Sequence, residues 1–286
     1  MGQLILGQLI NGVIVGTLYG IMAAGVTLTF GITGIVNFAL GAFMTLGAYL
    51  AWYLTDRVGI FYPVSVLIAV IITSLVGWLT DLTMFRFTRN NLINGLLVSI
   101  GLISVMEAIV LMLWTATPQE MNFVLPGVIR YAGLVVPKMK AVVFLILLGV
   151  VLLTYFGLTR TWAGRAAFAF AQNSEAATLM GVHTRLLQTS VFVYSIALAG
   201  LGGALYASLY SIESGLGANY VLKGVEAAIL AGIGSVGGAL VGGILLGVTE
   251  ALCSIFLPAA FKDAYGLVAL VLILLLKPAG LFGNKK

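Results

Sequence analysis

Few side chains in this sequence have the types and spacing that catalysis requires. The one histidine, His183, and the one cysteine, Cys253, stand apart, without companions at metal-ligand or nucleophile–base spacing. No catalytic residue, metal site or cofactor is therefore expected in this chain. The phosphate-cradling pattern Gly-x-x-x-x-Gly-Lys-Ser/Thr is missing too, so any nucleotide hydrolysis has to come from a partner. What remains is a set of carboxylates in or beside apolar runs: Asp81, Glu107, Glu226 and Glu250. A carboxylate inside a membrane is costly and is by default a functional candidate. Glu107 reads as the deepest. A proton relay needs partners, and no Lys, Arg or His reads as deep in a span. Helix–helix hydrogen bonding is thus the reading for Glu107 and Glu250, with proton coupling through Glu107 as the alternative. Asp81 and Glu226 read as wetted helix ends.

Backbone breaks are more informative than the charges. Apolar sequence is interrupted at Gly31-Ile32-Thr33-Gly34-Ile35-Val36-Asn37-Phe38-Ala39-Leu40-Gly41 and again at Gly232-Ile233-Gly234-Ser235-Val236-Gly237-Gly238. Gly-interrupted segments in both halves of a transporter mark its binding site, because half-helix ends present unpaired N–H and C=O groups. Gly34, Asn37, Gly41, Gly234, Gly237 and Gly238 are accordingly the candidates for a substrate path. The alternative for such glycines is close helix packing.

These segments belong to a very apolar chain. Of 286 residues, 61% are hydrophobic and 8% charged; Lys+Arg 14 against Asp+Glu 9 gives 14 − 9 = +5. A soluble domain carries about 25% charged residues, so this chain has too few to cover a surface in water. Scattered cations without a basic tract argue against nucleic-acid binding. The fold class is all-α, a polytopic membrane protein, because the apolar runs are continuous and lack the alternation of barrel strands. Met1–Leu9 lacks a positive n-region and a cleavage site, so the first run is expected to stay as a span.

The runs are about Leu4–Phe30, Ile35–Leu54, Tyr62–Phe85, Leu92–Trp114, Ala141–Leu158, Gln188–Ile212, Val225–Phe256 and Tyr265–Leu276. They give about eight spanning helices, or nine, plus Gly-broken re-entrant or half helices, in a single transmembrane domain, 1–286. Cytoplasmic loops are enriched in Lys and Arg. That rule puts Arg86, Arg89, Arg160, Arg165, Arg185, Lys277, Lys285 and Lys286 inside, with Arg57, Arg130, Lys138, Lys140, Lys223 and Lys262 outside. The Thr115–Lys140 loop and Glu213–Lys223 then lie outside. Val225–Phe256 must enter and leave on one side, as short helices broken at Gly234–Gly238.

The polar segment at about 159–187 carries the most specific signal. Asn173 or Ser174 suits a helix N-cap, Glu175 the positive first turn and Gly181 the C′ position. A helix of one or two turns outside the bilayer follows, carrying Ala176, Ala177, Leu179 and Met180. It is too short to be stable alone and needs something to dock on.

Arg160-Thr161…Gly164-Arg165 with Glu175-Ala176-Ala177…Gly181 resembles the cytoplasmic coupling segment of ABC importer permeases. Gly34-Ile35-Val36-Asn37-Phe38-Ala39…Gly41, Gly232-Ile233-Gly234-Ser235…Gly238-Ala239 and Lys277-Pro278-Ala279-Gly280-Leu281-Phe282-Gly283 are similar to one branch of them. That branch is the bacterial branched-chain amino acid permeases, the LivH-type membrane subunit, and the likeness runs from about Gly16 to Gly283. Two positions depart from the family's frequent pattern: Leu40 where His is common and Phe168 where Arg is common.

The resemblance implies an importer subunit in the bacterial inner membrane, spanning it many times. Its partners would be a second homologous permease, two cytoplasmic ATP-binding subunits and a periplasmic substrate-binding protein. The ATPases would dock on the Glu175–Gly181 helix, with Arg165, Glu175, Ala176, Ala177 and Gly181 coupling them to the path. Leucine, isoleucine or valine is the implied cargo, with urea, amides or another small solute as the alternative within the family. A proton-coupled secondary transporter or a passive channel are the competing readings outside it.

Overall fold

The computed structural model describes residues 2–34, 37–88, 91–114, 116–122, 125–131, 134–232, 234–258 and 261–282. Arg89, Lys285 and Lys286, expected on the inner face, lie outside the described residues, as do Ile35, Val36 and Ile233 of the two broken segments. A bilayer offers no water to unpaired N–H and C=O groups, so apolar runs of this length become helices that close their own hydrogen bonds. The order is α1 (Gly2–Thr33), α2 (Ala39–Trp52), α3 (Tyr62–Thr80), α4 (Arg86–Thr88), α5 (Leu92–Trp114), α6 (Lys138–Arg160), α7 (Trp162–Gln172), α8 (Ser174–Leu179), α9 (Thr184–Tyr206), α10 (Leu216–Ala231), α11 (Val236–Phe256) and α12 (Lys262–Leu276). Wider π turns carry α2 on through Tyr53–Arg57 and join α3 to α4 across Asp81–Phe85.

Among the described residues, 6 helices are long and apolar enough to cross a membrane, and α2, α10 and α12, at 14, 16 and 15 residues, are shorter. The helices fall into two shells. In α1 the most apolar stretch is 89% buried, whereas in α5 and α6 it is 22%. α1, α2, α9, α10 and α11 form the inner bundle; α3, α5, α6 and α12 turn Leu67, Ile71, Leu97, Leu145, Leu153 and Leu275 outward. An apolar belt of that kind suits lipid.

Glycine allows the inner shell to close. A β-carbon on Gly16 would stand 2.6 Å from Ile244 Cα, one on Gly12 2.8 Å from the Gly247 carbonyl oxygen, and one on Gly247 2.6 Å from Gly16 Cα. The residue numbers run in opposite senses, so α1 and α11 are antiparallel, in the small-xxx-small manner of membrane helices. Gly41 on α2 and Gly217 on α10 meet backbone to backbone, and the Gly217 N–H donates to Thr45 Oγ1 at 2.9 Å. Gly47 meets Gly200 on α9, and Tyr62 at the start of α3 donates its hydroxyl to the Ala204 carbonyl at 3.0 Å.

The two faces of the bundle are distinct. On one lie the ends of α1 and α6, the α10–α11 turn, α7 and α8. The chain after α12 joins them there, because Leu281 and Phe282 N–H bond the Leu230 and Ala231 carbonyls at 3.0 and 2.8 Å. Arg86, Arg160, Arg165, Arg185 and Lys277 belong to this face. On the other, β1 (Val128–Tyr131) and β2 (Leu134–Pro137) form an antiparallel hairpin pairing Val128 with Pro137. Gln119 and Ile212 exchange two backbone hydrogen bonds there, 3.0 and 2.8 Å, tying that loop to the α9–α10 connection.

Four expectations need correction. Glu213–Lys223 is not a loop: α10 begins at Leu216, so the broken pair has 16 and 21 residues and its interruption is Gly232–Ser235. Gly237 and Gly238 lie in the first turn of α11. Lys223 is not on the outer face but buried within the bundle, and Glu226 is its partner rather than a wetted end. Asp81 is buried as well, accepting the Thr189 hydroxyl at 2.6 Å.

Because the clash at Gly16 is with backbone, Gly16→Ala should destabilise the detergent-solubilised protein by about 1–3 kcal/mol. Gly149→Ala, where nothing stands within 4 Å of the added carbon, should leave the melting temperature unchanged or raise it. Paired thermal melts check both.

Candidate transport and coupling sites

Local capping shapes the α7–α8 segment. Thr161 opens α7 by accepting the Gly164 N–H at 3.2 Å, and Asn173 opens α8 by accepting the Ala176 N–H at 2.9 Å. Gly181, at φ +87°, closes α8, with Gly181 N–H on the Thr178 carbonyl at 3.0 Å and Val182 N–H on Ala177 at 3.1 Å. This is the double hydrogen bond of a glycine-terminated helix end. Asn173, Glu175 and Gly181 therefore occupy the positions their types predict. Gly164, Ala166, Ala167 and Phe170 of α7 and Ala177 of α8 face the body; Glu175 and Ala176 are exposed. Leu179 and Met180 are 88% and 85% exposed, a large apolar surface for a six-residue helix to present to water. Beside it a groove of about 390 Å³ brings Glu175 and Thr178 together with Arg86 and Arg185.

The two broken segments reach the same face. Gly34 and Gly234, at φ +70° and +101°, hold backbone conformations that L side chains rarely adopt. Asn37 is buried; its Oδ1 takes the Ala39 N–H at 3.0 Å and opens α2, while its Nδ2 has no partner. A β-carbon on Gly31 would lie 3.9 Å from Gly234 Cα, so the end of α1 and the α10–α11 turn are neighbours. Between them and α7 lies a cavity of about 210 Å³ with Gly31, Gly234 and Val236 on one side and Ala167, Phe168 and Ala171 on the other. Gly34 and Gly234 thus belong to turns at this face. Gly41 sits in the α2–α10 seam, Gly237 packs against Tyr155, and Gly238 donates its N–H to Ser235 Oγ at 3.1 Å.

The family described as the branched-chain amino acid transport system permease component matches residues 8–276. This chain belongs to that family. It is 30% identical over 299 residues to the high-affinity branched-chain amino acid transport system permease protein LivH of Salmonella typhimurium, covering 98% of this chain and 96% of that protein. The likeness to BraD of Pseudomonas aeruginosa, also named a high-affinity branched-chain amino acid transport system permease protein, is 31% over 298 residues, with the same coverage. A probable branched-chain amino acid transport permease protein LivH of Methanocaldococcus jannaschii is 27% identical over 294 residues, 96% of this chain and 91% of it. No solved structure matches.

This permease also holds a charged cluster inside its bundle. Lys223 Nζ lies 2.7 Å from Glu250, 3.1 Å from Asp263 and 3.3 Å from Glu226; Lys262 lies 3.5 Å from Glu250, and the Tyr19 hydroxyl donates to Glu250 at 3.0 Å. Glu250 is fully buried, and the cluster pins α1, α10, α11 and α12 together. Glu107, read as the deepest carboxylate along its span, is half-buried on the outer helix α5. The sequence reading missed Lys223 because it fell in a stretch taken for a loop; its spacing of three from Glu226 was the available signal. Removing one member of a buried pair leaves an uncompensated charge, so Lys223→Met should cost about 3–5 kcal/mol. Lys223→Met with Glu250→Gln should recover part of that loss in a denaturation series on the purified protein.

Proposed function

We propose that the chain is one membrane subunit of an ATP-driven importer for branched-chain amino acids in the bacterial inner membrane, with the α7–α8 face turned to the cytoplasm. It would pair with a second homologous permease, receive its cargo from a periplasmic binding protein on the β-hairpin face, and be driven by two cytoplasmic ATPases. The observation that carries this reading is α8. Capped at both ends by Asn173 and Gly181, it offers Leu179, Met180, Ala176 and Glu175 to a partner, on the face that carries Arg86, Arg160, Arg165 and Arg185. Positive loops favour the cytoplasmic side. An exposed apolar knob beside a charged groove suits a protein interface, with hydrophobic anchors inside a polar rim.

Mechanically, an ATPase closing against α8 pushes on a unit joined to α7, and α7 forms one wall of the cavity at the Gly31–Gly234 turns. Motion there changes access to the path through Gly34, Asn37 and Gly234. Leucine, isoleucine and valine need an apolar lining and dipoles for their zwitterion, which helix ends supply without formal charge.

Transport in proteoliposomes containing the co-purified subunits tests the reading. Leucine uptake should require ATP, and Glu175→Ala or Gly181→Val should reduce it at least tenfold while the protein stays in the membrane. Normal uptake in both variants would remove α8 from the coupling. Uptake by the chain alone under a pH gradient, lost in Glu107→Gln, would replace the reading with a proton-coupled one.

A further inference from the structure

Two arginines at the α8 end of the molecule share a groove and have no carboxylate to hold them. Arg86 opens α4 and Arg185 is the second residue of α9; both line the space of about 390 Å³ beside α8. Among the described residues the ion pairs belong to Lys223 and Lys262, and neither arginine forms one. One carboxylate, Glu175, lines the groove with them, so its wall carries two positive charges against one negative. Asp81, five residues before Arg86, is buried, takes the Thr189 hydroxyl and is not part of that wall. Ser174, Thr178 and Thr184 add hydroxyls. A guanidinium free of a carboxylate presents a planar fork of N–H donors that matches a phosphate.

Placement indicates which phosphate. Arg86 stands where α3, a helix that turns Leu67 and Ile71 outward, comes to its end. Phe87 and Leu186, next in the chain to the two arginines, are bulky and largely exposed, which acyl chains tolerate better than water does. Basic pockets between membrane helices on the cytoplasmic side take anionic lipid headgroups. α8 also keeps two surfaces apart. Ser174, Glu175 and Thr178 line the groove. At about 100° per residue, Ala176, Leu179 and Met180 project from the other side of the helix, so the apolar knob stays free for a protein partner.

We propose that this groove binds the phosphate of an anionic phospholipid of the inner leaflet, clamped between Arg86 and Arg185. The proposal rests on the reading above only in taking the α7–α8 face as cytoplasmic. The headgroup enters from the side that opens toward the bilayer, and its acyl chains run along the exposed face of α3. Bound there, it joins the end of α3, the start of α9 and α8. It thus fastens the coupling helix to the lipid-facing shell, where no ion pair among the described residues does so.

Native mass spectrometry of the delipidated full-length chain, titrated with phosphatidylglycerol, cardiolipin or phosphatidylethanolamine, tests this. Saturable binding of the two anionic lipids is expected, with phosphatidylethanolamine, whose ammonium cancels its charge, about tenfold weaker. Arg86→Gln and Arg185→Gln should each weaken cardiolipin binding about tenfold, as loss of one charge-assisted contact does. Arg160→Gln, on the same face but outside the groove, should leave it unchanged. Thermal melts establish that the variants fold; should one groove variant not fold, the other decides. Anionic-lipid binding that neither groove variant weakens, or no preference for anionic lipid, overturns the site. Inorganic phosphate binding as tightly as the lipid makes it a site for a soluble anion and overturns the lipid. Groove variants that shed the ATP-binding subunits from the co-purified complex, with lipid binding unchanged, assign the groove to that interface and overturn the proposal as well. Lipid binding that behaves as expected, in a complete system without ATP-driven uptake, counts against the importer reading and leaves the site standing.

Discussion

Within a bilayer two helices gain nothing by leaving water, so α1 and α11 are held by close-range dispersion and by the hydrogen bonds they allow. That attraction falls off within fractions of an ångström, and only glycine lets the backbones approach closely enough at Gly12, Gly16 and Gly247. The same device recurs at Gly41 with Gly217 and at Gly47 with Gly200. Everything farther out depends on this inner bundle. It places the carbonyl end of α1 beside the N–H end of α11, and it leaves α3, α5, α6 and α12 to face the lipid.

A second fastening sits away from the glycine seam. Lys223, Glu226, Glu250 and Asp263 join α10, α11 and α12, with Tyr19 bringing in α1. Ionic groups in apolar surroundings contribute little net stability unless each is paired, and here each carboxylate has a lysine within reach. Toward the α7 face the buried Asp81 ties the end of α3 to α9 through the Thr189 hydroxyl. The turns of that face are closed by backbone hydrogen bonds and short helices.

Much of this was legible from residue order. Continuous apolar runs gave Leu92–Trp114 as a helix to the residue, and Asn173 and Gly181 capped α8 as their types require, because those signals are local. Glycine breaks near Gly34 and Gly234 were legible for the same reason. The start of α10 was not: Gly217 and Asn219 resemble loop residues, and their helical form is fixed by packing such as that of Gly217 against Gly41. Lys223 and Asp81 were misplaced since burial of a charge depends on a partner distant in sequence.

In the proposed arrangement α8, a capped and projecting helix, meets a motor protein from the cytoplasm and α7 carries its motion to the Gly31–Gly234 turns. A single cysteine at Met180, in a Cys253→Ala background, reports on it most directly. The account predicts labelling by a membrane-impermeant maleimide only from the cytoplasmic side, and crosslinking to the nucleotide-binding subunit in the assembled complex. Labelling from the periplasmic side of intact cells, or a cysteine that crosslinks to nothing in that complex, would contradict it.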